Sequence, residues 1–310
     1  MNKVLVTGGC GFIGSHLVER LVKMGKEVTV ADVLQMNVGM LENLEYVIED
    51  IRFMRCDLRD FNSVMEAVKG HDTIFHLGAI SHLPYCHANP LIAVETNFMG
   101  TVNILEACRV QGVKNLLYAG TDHIYGVTDR IPIPEDLPPK PKEIYALTKA
   151  HAVQLCKLYN DNYGVNVKVL VSSNVFGERQ DMPKAIPIFS KAAWSDMPIV
   201  VNGGKQTRDF YYVENLVDAY LLVADKGVKG ECYNVSGDTE LSVTELVNKI
   251  VKITGSQSHV TIKEYRSDET PNLRLKLDTT KIKTLGWREK VGLDEGLKRT
   301  VEWYNIKKSV

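Results

Sequence analysis

Tyr145 and Lys149 stand four residues apart in the stretch Tyr145-Ala146-Leu147-Thr148-Lys149, so on a helix they share one face. A phenol beside an ammonium suits general-base work: the positive charge favours the phenolate, which can take a proton from an alcohol as that alcohol is oxidised. Thr121 follows an apolar run from Asn115 to Ala119 and can hydrogen-bond the same alcohol. Next to it come Asp122 and His123, whose imidazole can act as a base near neutral pH. A Tyr-x-x-x-Lys pair alone is frequent by chance and commonly means a surface Tyr and a solvated Lys. What surrounds it decides its meaning.

The chain opens with Lys3 to Gly14, KVLVTGGCGFIG, an apolar run followed by Gly8, Gly9, Gly11 and Gly14 and then an amphipathic stretch. Strand, tight turn and helix in that order let main chain approach a pyrophosphate, with the helix N-terminus supplying N–H groups and positive dipole. Asp32 ends the next apolar run, 18 residues beyond Gly14. A carboxylate at that place accepts hydrogen bonds from ribose hydroxyls and repels a 2′-phosphate, favouring NAD over NADP. As an alternative, Asp32 is simply a turn or helix cap.

Apolar runs at Glu27 to Ala31, Phe53 to Cys56, Thr73 to Leu77, Asn115 to Ala119 and Val165 to Val171 alternate with helical periodicity at Ser15 to Met24, 90–110 and 143–163. That rhythm predicts a doubly wound (Rossmann) α/β fold, a parallel sheet with helices on both faces. Residues 128–142 hold five prolines and read as an irregular loop. After Ser172 the rhythm breaks, with a helix from Val213 and a strand near Tyr233 expected to rejoin the sheet. Ser242-Val243-Thr244-Glu245 is a capping box opening a further helix. The expected division is 1–174 with 212–238 for the dinucleotide, and 175–211 with 239–310 for a smaller, mixed α/β substrate domain.

With 310 residues, 45% apolar and 24% charged, the chain has the composition of a globular protein. A formal net charge of −1 favours neither nucleic acid nor an anionic membrane. Six scattered cysteines with no Cys-x-x-Cys pair suit a reducing compartment. The first strand starts at residue 3, which leaves no room for a signal peptide, and no apolar run is long enough to span a membrane. The expected location is the cytoplasm. His82, Cys86 and His87 have possible ligand spacing, but a zinc site needs a third or fourth ligand in a held geometry, and they are read as loop or substrate contacts, not metal ligands.

TGGCGFIG at 7–14, CDL at 56–58, HLGA at 76–79, NFMGTVNILEAC at 97–108, YALTK at 145–149, SSNVFGERQ at 172–180, RDFYYVEN at 208–215 and LGW at 285–287 occur in order over nearly the whole chain. In this the sequence resembles the extended short-chain dehydrogenase/reductase family, specifically its NAD-dependent nucleotide-sugar epimerases and dehydratases. The resemblance implies transient oxidation at C4 of the hexose. It sets Gly8, Gly11, Phe12, Ile13, Gly14, Leu77 and Ala79 along NAD, has Asp57 and Leu58 contact adenine, and brings Tyr145 and Lys149 to the nicotinamide ribose. It implies that Asn174, Arg208 and Arg274 reach the sugar's diphosphate, with Ser81 and His82 also at the substrate. It implies a homodimer through helices at 90–110 and 143–163.

Thr121-Asp122-His123 lines up with the Thr-Asp-Glu of 4,6-dehydratases, in which Asp protonates the leaving hydroxyl and Glu removes the C5 proton. Residues 79–82 and 183–187 also lean toward dehydratases. Two departures stand out: His123 replaces the Glu, and Val171 stands where relatives often carry Arg. A 4,6-dehydratase outcome therefore leads narrowly over a UDP-sugar 4-epimerase and a nucleotide-sugar 4-dehydrogenase or reductase. A non-catalytic NAD-binding sensor is the alternative of another class.

Overall fold

Seven short apolar runs form one parallel sheet: β1 (Lys3–Thr7), β2 (Glu27–Asp32), β3 (Ile51–Arg55), β4 (Thr73–His76), β5 (Asn115–Thr121), β6 (Val167–Ser172) and the strand Cys232–Val235. The computed structural model describes residues 1–34, 40–265 and 274–306. In space the order is Cys232–Val235, β6, β5, β4, β1, β2, β3. The chain thus winds outward from β1 in one direction, then crosses back to β4 and winds in the other. The crevice where the direction reverses lies beyond the carboxyl ends of β1 and β4, where ligands of such sheets bind.

Each strand feeds two cores because side chains alternate across the sheet. Leu5, Ile74, Tyr118 and Val169 face one side, against α2 (Phe61–Val68), α5 (Gly100–Gln111) and α6 (Ile144–Tyr163), with the short α3 (Leu83–Ala88) and α4 (Pro90–Val94) between α2 and α5 in the chain. Val4, Val6, Phe75 and Leu170 face the other, against α1 (Phe12–Lys23) and the helix Val213–Lys226. In α1 the buried stripe is Leu17, Val18 and Leu21, the helical spacing visible in the sequence. A third core gathers Phe189, Val201, Tyr212, Leu246, Ile250 and Leu297 from the later elements. There Ser242 and Glu245 form the expected capping box at the start of Val243–Thr254.

Two local features differ from the sequence expectation. Leu41–Asp50 forms a 3-10 helix that the apolar pattern did not announce. The helix expected over 90–110 is not continuous α: Pro90–Val94 runs into a π turn at Glu95–Met99 before α5 begins. Within that turn Asn97 is buried and turned to Ile80, accepting from its N–H at 2.7 Å and donating to its C=O at 2.9 Å. That clamp fixes the chain just after β4, at the rim of the crevice.

Candidate active site

A single cleft of about 1810 Å³ runs from the glycine turn after β1 to the loops after β5 and β6. Pockets for one small ligand are roughly 300–1,000 Å³, so this cleft has room for two ligands end to end.

At one end the walls are main chain. Gly8 has φ +69°, and a Cβ there would lie 2.7 Å from the Cα of Gly78, where β1 and β4 part. A Cβ on Gly14 would lie 2.2 Å from the Gly8 carbonyl oxygen. No other residue fits either place. Gly11 is the N-cap of α1 and supplies no side-chain cap, so the first-turn N–H groups, including those of Phe12 and Ile13, face the cleft without a side-chain acceptor. Asp32 is fixed at the end of β2, accepting from Cys10 N–H at 3.1 Å and Leu34 N–H at 3.1 Å; burial raises its pKa and these donors oppose the rise. Leu58, Leu77 and Ala79 line the same end. Asp57 does too, drawn into a bidentate pair with Arg59 that holds its carboxyl below the ordinary range. An anion-binding helix end, a glycine cradle and a carboxylate at ribose distance along the chain fit an adenine dinucleotide.

His76 ties this end together. Its ring nitrogens meet Thr7 Oγ1 at 2.7 Å and Thr101 Oγ1 at 3.1 Å, and burial pushes its pKa down to about 3, so it is neutral.

At the centre, Thr121 ends β5 and Tyr145 is the second residue of α6, and both line the cleft, close enough for Thr121 to act on the phenol's pKa. Lys149 lies one turn along α6, buried, its Nζ 4.2 Å from the centre of the Tyr118 ring. Burial pushes the Lys149 ammonium down to about 7. The same burial raises the Tyr145 phenol, with only the Thr121 hydrogen bond pulling it down. The expected help to the phenolate comes from the ammonium together with a positive nicotinamide ring; in the protein by itself desolvation wins. A bound nicotinamide ring would bring a further positive charge.

Beside them, Asp122 is 3% exposed. Its Oδ1 accepts from Thr121 Oγ1 at 3.3 Å, while its Oδ2 is buried without a hydrogen-bond partner among the described residues. Burial raises its pKa against the pull of His123 and Arg208. His123 is half-buried, its ring 6.1 Å from that of Tyr145 and inclined at 74°. Its Nδ1 donates to Oε1 of Glu143 at 2.6 Å. Burial alone would lower its pKa; the Glu143 hydrogen bond and the Asp122 charge outweigh that, and the net direction is upward.

Ser81, His82, Asn174 and Arg208 line the far end of the cleft. Cys86 is buried beneath, its thiol donating to Ile80 C=O at 3.4 Å. Arg274 is outside the lining: it is exposed and holds Glu240 through Nε at 2.9 Å to each oxygen. Its strand, Arg274–Leu275, pairs with Thr207–Arg208, so of these two arginines only Arg208 opens onto the cleft. Glu143 lines the cleft and is not singled out in the sequence; Lys184, within the stretch 183–187 noted there, lines it too. Glu143 sits two residues before Tyr145, the one signal that pointed to it.

Residues 4–236 match the family described as NAD dependent epimerase/dehydratase. The chain is 34% identical over 97% of its length to a putative UDP-glucose 4-epimerase of Methanocaldococcus jannaschii, itself covered over 97%. It is 32% identical over 98% of its length to the human dTDP-D-glucose 4,6-dehydratase, which is covered over 90%. Among solved structures, UDP-glucose 4-epimerase of Thermotoga maritima with UDP-glucose superposes with a TM-score of 0.91 at 32% identity, over 99% of each chain. The dTDP-glucose 4,6-dehydratase of Streptomyces venezuelae, with NAD bound, gives 0.92 at 32% identity, over 99% of this chain and 98% of that one. With the glycine cradle, the fixed Asp32 and the Thr121–Tyr145 pair in one cleft, the chain belongs to the NAD-dependent epimerase/dehydratase family of enzymes and takes NAD as its cofactor.

Proposed function

We propose that this enzyme holds a nucleoside-diphosphate sugar beside NAD, oxidises its C4 hydroxyl transiently, and then eliminates the C6 hydroxyl, as a 4,6-dehydratase. The observation that carries the reading is Asp122. Oxidation at C4 needs only the Tyr145–Thr121 pair, whereas elimination also needs a proton donor, and Asp122 is a buried carboxyl pushed toward its neutral form with an oxygen left unpartnered.

NAD, when bound, supplies the hydride acceptor and later the donor. Tyr145 takes the proton of the C4 hydroxyl at its phenolic oxygen while Thr121 Oγ1 hydrogen-bonds that oxygen. Lys149 holds the nicotinamide ribose. Asp122 protonates the departing C6 oxygen, and His123 removes the C5 proton. Asn174 and Arg208 take the diphosphate, the planar guanidinium matching two phosphate oxygens at once. In this reading residues 175–211 and 239–310 form the substrate-holding part. The likeness to the human and Streptomyces dehydratases supports the substrate class.

Epimerisation at C4 is the second reading, favoured by the lack of a carboxylate at position 123 and by the similarity to the Thermotoga epimerase. Incubating the holoenzyme with UDP-, GDP-, dTDP- and CDP-sugars and weighing the products separates the two. Loss of water supports the dehydratase, an unchanged mass with altered stereochemistry the epimerase, and net NAD turnover a 4-dehydrogenase or reductase. Conversion of none of them overturns the proposal.

Among the described residues no helix is long and apolar enough to cross a membrane. We place the enzyme in the cytoplasm on its six free thiols. We take it to be a homodimer on the exposed Leu91, Val94, Met99, Val110, Leu147 and Leu158, which lie on the helical stretches 90–111 and 144–163.

A further inference from the structure

Glu143 is the N-cap residue of α6, yet its side chain makes no cap hydrogen bond. It leaves the helix and accepts from Nδ1 of His123 at 2.6 Å, a pair of half-buried groups twenty residues apart in the chain. With Nδ1–H engaged, the other ring nitrogen, Nε2, has no protein partner among the described residues. The ring stands edge-on to Tyr145 in the cleft wall. Phenol and imidazole are therefore set by the same helix start, one through the helix itself and the other through Glu143.

We propose that Glu143 is a positioning residue that fixes the tautomer and direction of His123, so that the His123–Glu143 pair does at C5 the work of a single carboxylate. This rests on the 4-keto reading above. Once C4 is a ketone, Nε2 takes the C5 proton and the C5–H electron pair becomes the C4–C5 double bond of an enolate. Its oxygen accepts from the Thr121 and Tyr145 hydroxyls. Collapse of the enolate restores the C4 carbonyl, forms the C5–C6 double bond and breaks the C6–O bond. The departing oxygen takes the carboxyl proton of Asp122 and leaves as water. The imidazolium keeps its Nδ1–H on Glu143, whose negative charge steadies it as the aspartate of a hydrolase triad does.

The titratable groups around His123 are Glu143 at the N-cap of α6 with the phenol of Tyr145 on that helix, Asp122 on its own segment, and Lys184 at the start of the helix Ala185–Trp194. Glu143 raises the imidazole pKa, as does Asp122 when ionised, while burial and Lys184 lower it; with Asp122 protonated, Glu143 is the carboxylate that acts on the ring. Removing the Glu143 charge with Glu143→Gln, which keeps an acceptor oxygen, must therefore lower it, by about one unit for a neighbouring opposite charge. The acidic limb of the pH profile then moves to lower pH.

The test mixes holoenzyme with dTDP-glucose or UDP-glucose in heavy water. Absorbance of reduced nicotinamide reports C4 oxidation, and mass spectrometry reports deuterium at C5. In His123→Ala the ratio of C5 exchange to nicotinamide reduction falls by about a hundredfold, the lower range of general-base contributions, and in Glu143→Gln by about tenfold. The His123 imidazole, followed by NMR in the protein without substrate, titrates about one unit lower in Glu143→Gln. An unchanged ratio together with an unchanged titration in Glu143→Gln means the pair only ties a loop to a helix, and overturns the inference. Normal nicotinamide reduction with undisturbed exchange in His123→Ala also removes this inference, leaving the 4-keto reading. No nicotinamide reduction in the unaltered enzyme with either sugar overturns both.

Discussion

The two ends of the cleft are built from different material. Around Gly8 and Gly14 the wall is main chain, and its shape is set by what cannot be there: a Cβ at Gly14 would sit 2.2 Å from a carbonyl oxygen. Around Asp122, His123 and Tyr145 the wall is side chains whose charges are set by burial and by one another. The first kind of surface grips a ligand and is also a joint in the fold. The second can be altered without moving the backbone. Damage at the first should appear as lost affinity and lost stability together, and damage at the second as lost rate.

Tyr145→Phe gives the largest effect. It removes the proposed proton acceptor while leaving ring and packing, so turnover drops on the order of a thousandfold, within the range for a general base. The Thr121 hydroxyl keeps its other partners, donating to Asp122 Oδ1 at 3.3 Å and accepting from His123 N–H at 3.4 Å, so the fold loses little, about 1 kcal/mol at most. The contrast predicts a thermal midpoint lowered by only a few degrees and an NAD affinity, read by fluorescence titration, changed by less than about tenfold (one affinity decade being about 1.4 kcal/mol). A variant that turns over normally would remove Tyr145 from the chemistry.

Gly14→Ala comes next and tests the other end. The methyl must displace the Gly8 carbonyl, at 2.2 Å, and the Gly9 Cα, at 2.8 Å, both rigid backbone. Overpacking of this kind costs about 1–3 kcal/mol. Thermal melting should fall accordingly, and NAD binding should weaken in the same variant if the displaced turn holds the pyrophosphate, as its main-chain wall suits. Weakened binding with an unmoved melting temperature would separate the joint from the grip and break the comparison.

The difference in material also explains what could be read from the sequence. The glycine cradle, Asp32 and the strands of the sheet are local in the chain: spacing and apolar runs specify them, and the strands differ from expectation only at their ends. The side-chain end is not local. Nothing in the sequence ties Glu143 to His123, or Asn97 to Ile80, because those pairs depend on where α6 and the π turn come to rest. Arg274 shows the same limit from the other side. Its position along the chain matched relatives that bring an arginine to the diphosphate, but the nearby carboxylate of Glu240 claims it, and an exposed guanidinium takes the closest good partner. Motif order places a residue on an element; a competing charge decides where the side chain ends.

Lys149 is the smallest effect and the sharpest probe, because it belongs to the side-chain end yet affects the fold. Its ammonium is buried with the face of Tyr118 as its nearest support, and its pKa is pushed from 10.5 to about 7. The unfolded chain therefore binds this proton more tightly than the native state does. Between pH 7 and 10.5 the unfolded state carries more protons, so stability without cofactor rises with pH across that window and the penalty is complete below about 7. Lys149→Met keeps the apolar stem and removes the charge. Denaturant unfolding at pH 7 should show a gain of about 1 kcal/mol, the usual yield when a residue kept for function is traded for packing, and the upward slope between neutral and alkaline pH should flatten. A loss of stability instead would mean that the Tyr118 ring more than compensates the buried charge, and that the catalytic end of the cleft, like the glycine end, is held in place by its own functional groups.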